Sequence, residues 1–335
     1  FMPTLLSLAG ERPAAILQGK AFLGKYATDD PEYIYGFRDR MDERYDISRA
    51  VRDQKFLYIR NFYPQRPQGT FLDYMFQTPT TRVWKQLFDA GKLDAAQSFF
   101  WETKPAEELY DLKADPYQIK NLVGNADQQA TLERLRDATK QWMFRIKDLG
   151  LLPEGRMLEL AGEDAPYTMG HDAERYPIEK IYPVADLATR PTQGDLNELT
   201  KHQVDPNPAV RYWVACGLLL RAQENQERDQ AVKTAGGMTV DPSPYVRCMA
   251  CETVARYGKS MDRKLAIDAL LNMSDPRITN TLVAVAALNS LDWCVPTSAE
   301  IGQRLQGLPA YVPTLSKRYD TLIPKLLKRI ESRAK

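Results

Sequence analysis

The sequence predicts a chain in two parts: an α+β subdomain, a small antiparallel sheet with a long helix, followed by an all-α solenoid of stacked helix pairs. Three observations predict this. Short runs rich in aromatic and β-branched residues fall between residues 30 and 112, as strands do. A long amphipathic run follows, from about Ala126 to Leu149. Later in the chain one phrase recurs with a nearly fixed period. The boundaries expected are 1–29, 30–150, 151–190 and 191–335, and 335 residues are ample for two domains.

In order, residues 3–10 (PTLLSLAG) read as a helix ended by Gly10, continuing something upstream, so the chain is expected to be a fragment. "EYIYGF", "ISRAVRD", "KFLYIRNF" and "EELYDL" read as strands, with Asp53-Gln54 as a tight connection between the second and third. Residues 81–105 are aromatic and helical, with Trp84, Leu87, Phe88, Phe99, Phe100 and Trp101 expected as core or an interface. In the long helix Leu132, Leu135, Ala138, Trp142 and Ile146 keep a three-to-four spacing, one apolar stripe for the sheet. Pro153, Pro166, Pro177, Pro183 and Pro191 mark 151–190 as a linker.

The recurring phrase is Asp205-Pro-Asn-Pro-Ala-Val-Arg211, then Asp241-Pro-Ser-Pro-Tyr-Val-Arg247, then a degenerate Asp275-Pro-Arg-Ile. The copies begin about 35 residues apart, the period of stacked helix pairs. Asp is expected as N-cap, with Pro at the first helical position, where its missing N–H costs nothing. These stretches resemble HEAT-type repeats over about 195–310. A basic amphipathic helix near Leu315–Ser332 is expected to cap the stack.

Lys+Arg total 45 and Asp+Glu 44, a net charge of +1 that offers no electrostatic argument for nucleic acid or a membrane surface. No run has the length of a transmembrane helix. Cys216, Cys248, Cys251 and Cys294, with His171 and His202, build no zinc pattern, and the cysteines read as small buried apolar residues. Asp111, Asp115 and Asn121 read as turn and cap residues, since no calcium-loop glycine accompanies them.

"LQGKAFLG" (17–24), "GFRDRMDERYD" with "RAVRDQKFLYIRNF" (36–62), "KPAEELYDLKADPYQIKNL" (104–122) and "LGLLPEG" (149–155), in this order, resemble the C-terminal part of a sulfatase. The nearest flavour is bacterial enzymes similar to sulfamidase (heparan N-sulfatase). The resemblance covers about 1–155 and makes 1–29 the tail end of a catalytic domain of alkaline-phosphatase style. It implies hydrolysis of sulfuric esters or sulfamates on sulfated glycans, through a formylglycine nucleophile and a calcium ion. Both are expected outside this chain, which by itself is expected to be inactive. It also implies a periplasmic or extracellular location. Cys294-Val-Pro-Thr-Ser298 imitates the family's Cys-x-Pro-x-Arg, but Ser298 stands where arginine is required, and we read it as coincidence. No catalytic or metal-ligating residue is assigned.

The dense loop 35–46 (YGFRDRMDERYD) holds the candidate substrate-binding residues Arg38, Asp39, Arg40, Asp42, Glu43 and Arg44. An arginine fork grips sulfate or carboxylate, and carboxylates accept sugar hydroxyls or orient the arginines. Three roles stand open for the loop: contact at the rim of a sulfate pocket, pinning of the subdomain to its neighbour, or a solvated surface. Trp101 and Tyr63 are sugar-stacking candidates if the first holds. Asp46, Arg49 and Arg52 are expected as structural ion pairs. For the whole chain the competing reading is a non-enzymatic interaction module whose repeats bind a protein partner.

Overall fold

The computed structural model describes residues 1–190, 195–225, 227–294, 300–309 and 319–333. Along the chain, α1 (Met2–Leu8) precedes strands β1 (Ile34–Arg38), β2 (Ser48–Arg52) and β3 (Phe56–Asn61). Helices α2 (Pro79–Asp89) and α3 (Ala95–Ser98) separate β3 from β4 (Glu107–Asp111), and α4 (Gln129–Arg145) follows. Then come α5 (Glu154–Ala161), α6 (Pro166–Gly170), α7 (Ile178–Thr189), α8 (Asp195–Thr200) and α9 (Pro208–Gln223). The last helices are α10 (Arg228–Met238), α11 (Pro244–Tyr257), α12 (Ser260–Met273), α13 (Thr281–Cys294), α14 (Glu300–Arg304) and α15 (Leu322–Arg333).

Two compact units result, each discontinuous in sequence. The first holds Phe1–Phe37, Arg49–Arg60 and Glu107–Asp148; the second holds Arg38–Ser48, Asn61–Ala106 and Leu149–Lys335. The expected boundaries followed the chain in single blocks, whereas here the segments 38–48 and 61–106 group with the later helices.

In the first unit the strands form a sheet of order β1-β2-β3-β4. β3 and β4 pair antiparallel, with Tyr58 opposite Leu109. Val51, Phe56, Tyr58 and Leu109 pack with Leu132 and Leu135 of α4 into one apolar core. β2 and β3 alternate inward and outward while α4 buries Leu132, Leu135, Thr139 and Met143, so period two meets period 3.6 at one interface. Tyr35 stacks on Trp142 with ring centroids 4.7 Å apart. Arg49 holds Asp148 in a buried fork, at 2.5 and 2.8 Å. Burial would raise the Glu107 carboxyl, but hydrogen bonds from Arg136 and Tyr58 outweigh it and hold the group below its ordinary range.

In the second unit α7, α9, α11, α13 and α15 pack in succession, with α10 against α9 and α11, and α12 against α11 and α13. The repeated phrase works differently from the expectation. Asn207 and Ser243, not the aspartates, occupy the N-cap, and Pro208 and Pro244 start α9 and α11. Asp205 and Asp241 sit two residues earlier and accept the N–H groups of Asn207 and Ser243, both at 2.8 Å. They are Asx-turn residues that set the direction of entry. Asp241 also receives a fork from Arg211 of the preceding copy, at 2.7 and 2.9 Å. The phrase thus ties neighbouring copies together. Asp241→Ala is expected to lower stability by about 1–2 kcal/mol, and Asp241→Asn, which keeps the acceptor for Ser243, by less. Urea denaturation of the two variants checks this.

Residues 151–190, expected as a linker, carry α5, α6 and α7. Three of their prolines start helices, Pro153 and Pro177 as N-caps and Pro166 in the first turn of α6, while Pro183 lies inside α7. The long helix runs over Gln129–Arg145, with one-turn 3-10 segments on either side. The terminal helix begins at Leu322, so Pro324 falls in its first turn; residues 315–318 of the expected helix lie outside the described residues. Asp111, Asp115 and Asn121 cap backbone N–H groups, as read. All four cysteines are buried; burial raises every thiol, that of Cys251 to about 12.

Candidate functional site

The loop between β1 and β2 is a tight turn. Met41 and Arg44 exchange both backbone hydrogen bonds, at 2.8 and 2.9 Å. Asp42 takes the left-handed conformation (φ 44°), which aspartate tolerates better than a branched residue. The turn sends successive side chains in different directions, and most of those charges end on the helices of the same unit.

Arg40 forks onto Glu154 at the start of α5 and donates to the Asp42 carbonyl at 2.5 Å. Tyr319 donates to the same Glu154 at 2.8 Å and lies under the Arg40 guanidinium. Arg44 is buried and spreads its donors over the Phe71 carbonyl (2.8 Å), Asn289 (2.9 Å) and Asp292 (2.7 Å). Asn289 returns a bond from its amide to the Glu43 carbonyl at 2.9 Å. The Glu43 carboxylate, buried, accepts the Asp73 N–H at 2.7 Å and lies 3.7 Å from Lys325. Asp292 on α13 is the hub: besides Arg44 it binds Arg333 at 2.7 Å and faces Arg329 at 3.9 Å. Burial pushes its carboxyl up, but the three guanidinium groups outweigh that and keep it below the ordinary carboxylate range.

Arg40, Glu43 and Arg44 therefore share one wall of a cavity of about 90 Å³. The remaining wall comes from Tyr45, Tyr63, Arg66 and Thr70, from Pro153 to Gly155, and from α9, α11 and α13. Arg38 and Asp39 do not line it. Arg38, half-exposed, lies 3.6 Å from Asp46, and Asp42 sits half-exposed at the turn, 3.8 Å from Lys325. Lys104 also binds Asp46, which with Arg49–Asp148 bears out the structural reading of Asp46 and Arg49. Trp101 is buried among Phe76, Trp84, Phe88 and Phe100 and is core. Tyr63 is buried too, paired through its hydroxyl with Tyr212; burial raises its phenol.

Glu154, Arg66, Glu252, Asn289 and Asp292 were not singled out by the sequence reading. One signal was available. Asn289 and Asp292 interrupt the otherwise apolar Thr281–Cys294, and polar groups on a buried helix need partners. Among the described residues no group of three or more His, Cys, Asp or Glu could hold a metal ion, so no step through calcium is derived. The Cys-x-Pro imitation runs into 295–299, outside the described residues. No helix among the described residues is long and apolar enough to cross a membrane.

No family model matches the chain. It is similar to an ulvan-active sulfatase of Formosa agariphila, 42% identical over 159 residues, which is 47% of this chain and 27% of that protein. A second ulvan-active sulfatase of the same organism is 29% identical over 154 residues, 44% of this chain and 28% of that protein. The chain thus spans little more than a quarter of the length of these relatives. The similarity supports a sulfatase-related portion covering under half of the chain, comparable in length with the stretch on which the resemblance was read.

Proposed function

We propose that this chain is the C-terminal portion of a sulfatase, a sulfuric ester or sulfamate hydrolase of sulfated glycans, extended by HEAT-type repeats. The observation that carries the reading is 42% identity to an ulvan-active sulfatase over 159 residues. Ulvan is accordingly the polysaccharide to test first. The nucleophile, formylglycine in this reading, and calcium belong to parts of the polypeptide outside these residues, and the setting is periplasmic or extracellular.

Within this reading the six loop residues divide by role. Arg40, Glu43 and Arg44 are committed to partners on the helices and hold the turn in place. Arg38, Asp39 and Asp42, which are half-exposed, are the members that reach a sulfated sugar. In the complete polypeptide, Arg38→Ala is expected to lower kcat/KM for sulfate release about ten- to hundredfold with an unchanged melting temperature. Arg44→Ala should lower melting temperature and activity together. If Arg38→Ala releases sulfate at the parental rate, substrate contact by this loop is lost as an idea. If no sulfated polysaccharide is hydrolysed at all, the enzymatic reading fails. The interaction-module reading draws on one observation: Val204 and Val240, at the same point of two copies of the phrase, are each 82% exposed. A repeated apolar point on a solenoid edge suits a protein partner.

A further inference from the structure

The cavity beside the loop holds polar atoms that the chain itself does not satisfy. Arg66, Thr70 and Tyr245 line it, are 6%, 6% and 4% exposed, and present a guanidinium nitrogen, a hydroxyl and a phenol without hydrogen-bond partners. One Glu43 carboxylate oxygen is in the same position. A buried polar group left unpaired costs about 1–3 kcal/mol, so four on one cavity are expensive unless something else completes them. Donors and an acceptor are both present among them, so the completing group must both accept and donate. Gly155 also lines the cavity, and a methyl group there would overlap the Tyr245 hydroxyl.

Charge decides the class of ligand. Each ionised group on the wall already has its counter-ion: Arg40 with Glu154, Arg44 with Asp292, Arg66 with Glu252, and Glu43 with Lys325. An anion brought here would shed its water and find no unbalanced cation, which is costly. A neutral ligand rich in hydroxyls pays no such cost, since each hydroxyl both donates and accepts. The other surfaces are apolar and aromatic, with Trp293 held flat by the Arg66 guanidinium 4.7 Å from its ring, and these suit the C–H face of a sugar. At about 90 Å³ the cavity takes one ring by its edge and has no room for a polysaccharide chain.

We propose that the helical unit carries a binding site for a single uncharged sugar residue, formed by Arg66, Thr70, Tyr245 and Glu43 against Trp293. The choice of a saccharide among neutral polyhydroxyl compounds rests on the glycan reading above. In that setting the site holds a single unsulfated residue at the end of a glycan chain.

The test is calorimetric titration of the 335-residue chain with D-galactose, D-xylose and L-rhamnose, and with galactose 6-sulfate and inorganic sulfate as charged counterparts. At least one neutral sugar is expected to bind saturably at one site, and both sulfated probes more weakly. Tyr245→Phe and Thr70→Val should each weaken that sugar about three- to tenfold. Their melting temperatures should hold or rise, because each removes an unsatisfied buried hydroxyl. The proposal is overturned by absence of saturable neutral-sugar binding at millimolar concentration, by equal or tighter binding of the sulfated probes, or by unchanged affinity in both variants. Sulfate release by the complete polypeptide is measured separately. Activity there without sugar binding here sinks this proposal alone, and binding here without activity sinks the sulfatase reading alone.

Discussion

Replacing Asp292 by alanine should cost the second unit about 3–5 kcal/mol, the largest loss expected from any single charge. Its carboxylate is 3% exposed and faces the guanidinium groups of Arg44, Arg329 and Arg333. Without it Arg44, itself 3% exposed, keeps the Phe71 carbonyl and Asn289 but has lost its counter-ion. Asp292→Asn should fall between the parent and alanine, since it restores an acceptor without the charge. The pair also shapes the acid limb of stability. The folded carboxyl titrates below the ordinary aspartate value of about 3.9, so its contribution is complete well above that pH. It is lost as pH falls from there through the lower folded value, because the unfolded chain takes up the proton first. The parent should therefore lose more stability than Asp292→Asn between about pH 5 and acid. Urea midpoints taken across that range decide it. Parallel pH curves for parent and variant would show that the charge is not what matters.

Trp213→Ala is expected to cost about 3–5 kcal/mol in the same unit. Trp213 is fully buried on α9 and is the largest such side chain. Phe62, Tyr63 and Tyr212 meet its ring edge-on or nearly so, with centroids 5.6–6.2 Å away. Its indole N–H donates to the Leu151 carbonyl at 3.0 Å. Truncation opens a cavity in contact with three other aromatic rings and strands that carbonyl. Trp213→Phe refills part of the volume but not the hydrogen bond, so about half of the loss should return. A loss below about 1 kcal/mol in Trp213→Ala would mean that the aromatic cluster collapses around the gap.

What was legible in the sequence was local. The strand β3 was visible because "KFLYIRNF" is aromatic and β-branched and alternates inward and outward, and α4 because its leucines keep helical spacing. The repeated phrase announced the helices of the second unit, though the cap fell to Asn207 and Ser243, two residues past the aspartates. An aspartate before a proline can cap a helix or initiate a turn, and both have the same composition. The prolines of 151–190 misled for a related reason: proline opens helices as readily as it marks linkers, and position within the helix is not written in a count. The site was legible only in half. Arg40, Glu43 and Arg44 were visible as a charged run, but their partners Glu154, Asn289 and Asp292 lie 114 to 248 residues away. No local pattern connects them.

That separation has a consequence for biosynthesis. Arg44 leaves the ribosome 248 residues before Asp292. At about 5–20 residues per second the interval is about 12–50 s. Through it the turn, the aromatic segment around Phe62 and Tyr63, and Arg66 remain without the helices that bury them. The first unit, whose last segment closes at Asp148, can mature earlier. The nascent chain thus carries a finished module beside a long-lived, unpaired loop until α13 and α15 emerge. Ribosome-stalled chains ending before 281 should then show protease protection of the first unit and cleavage near 38–48 and 61–76, whereas release of the whole chain should protect both.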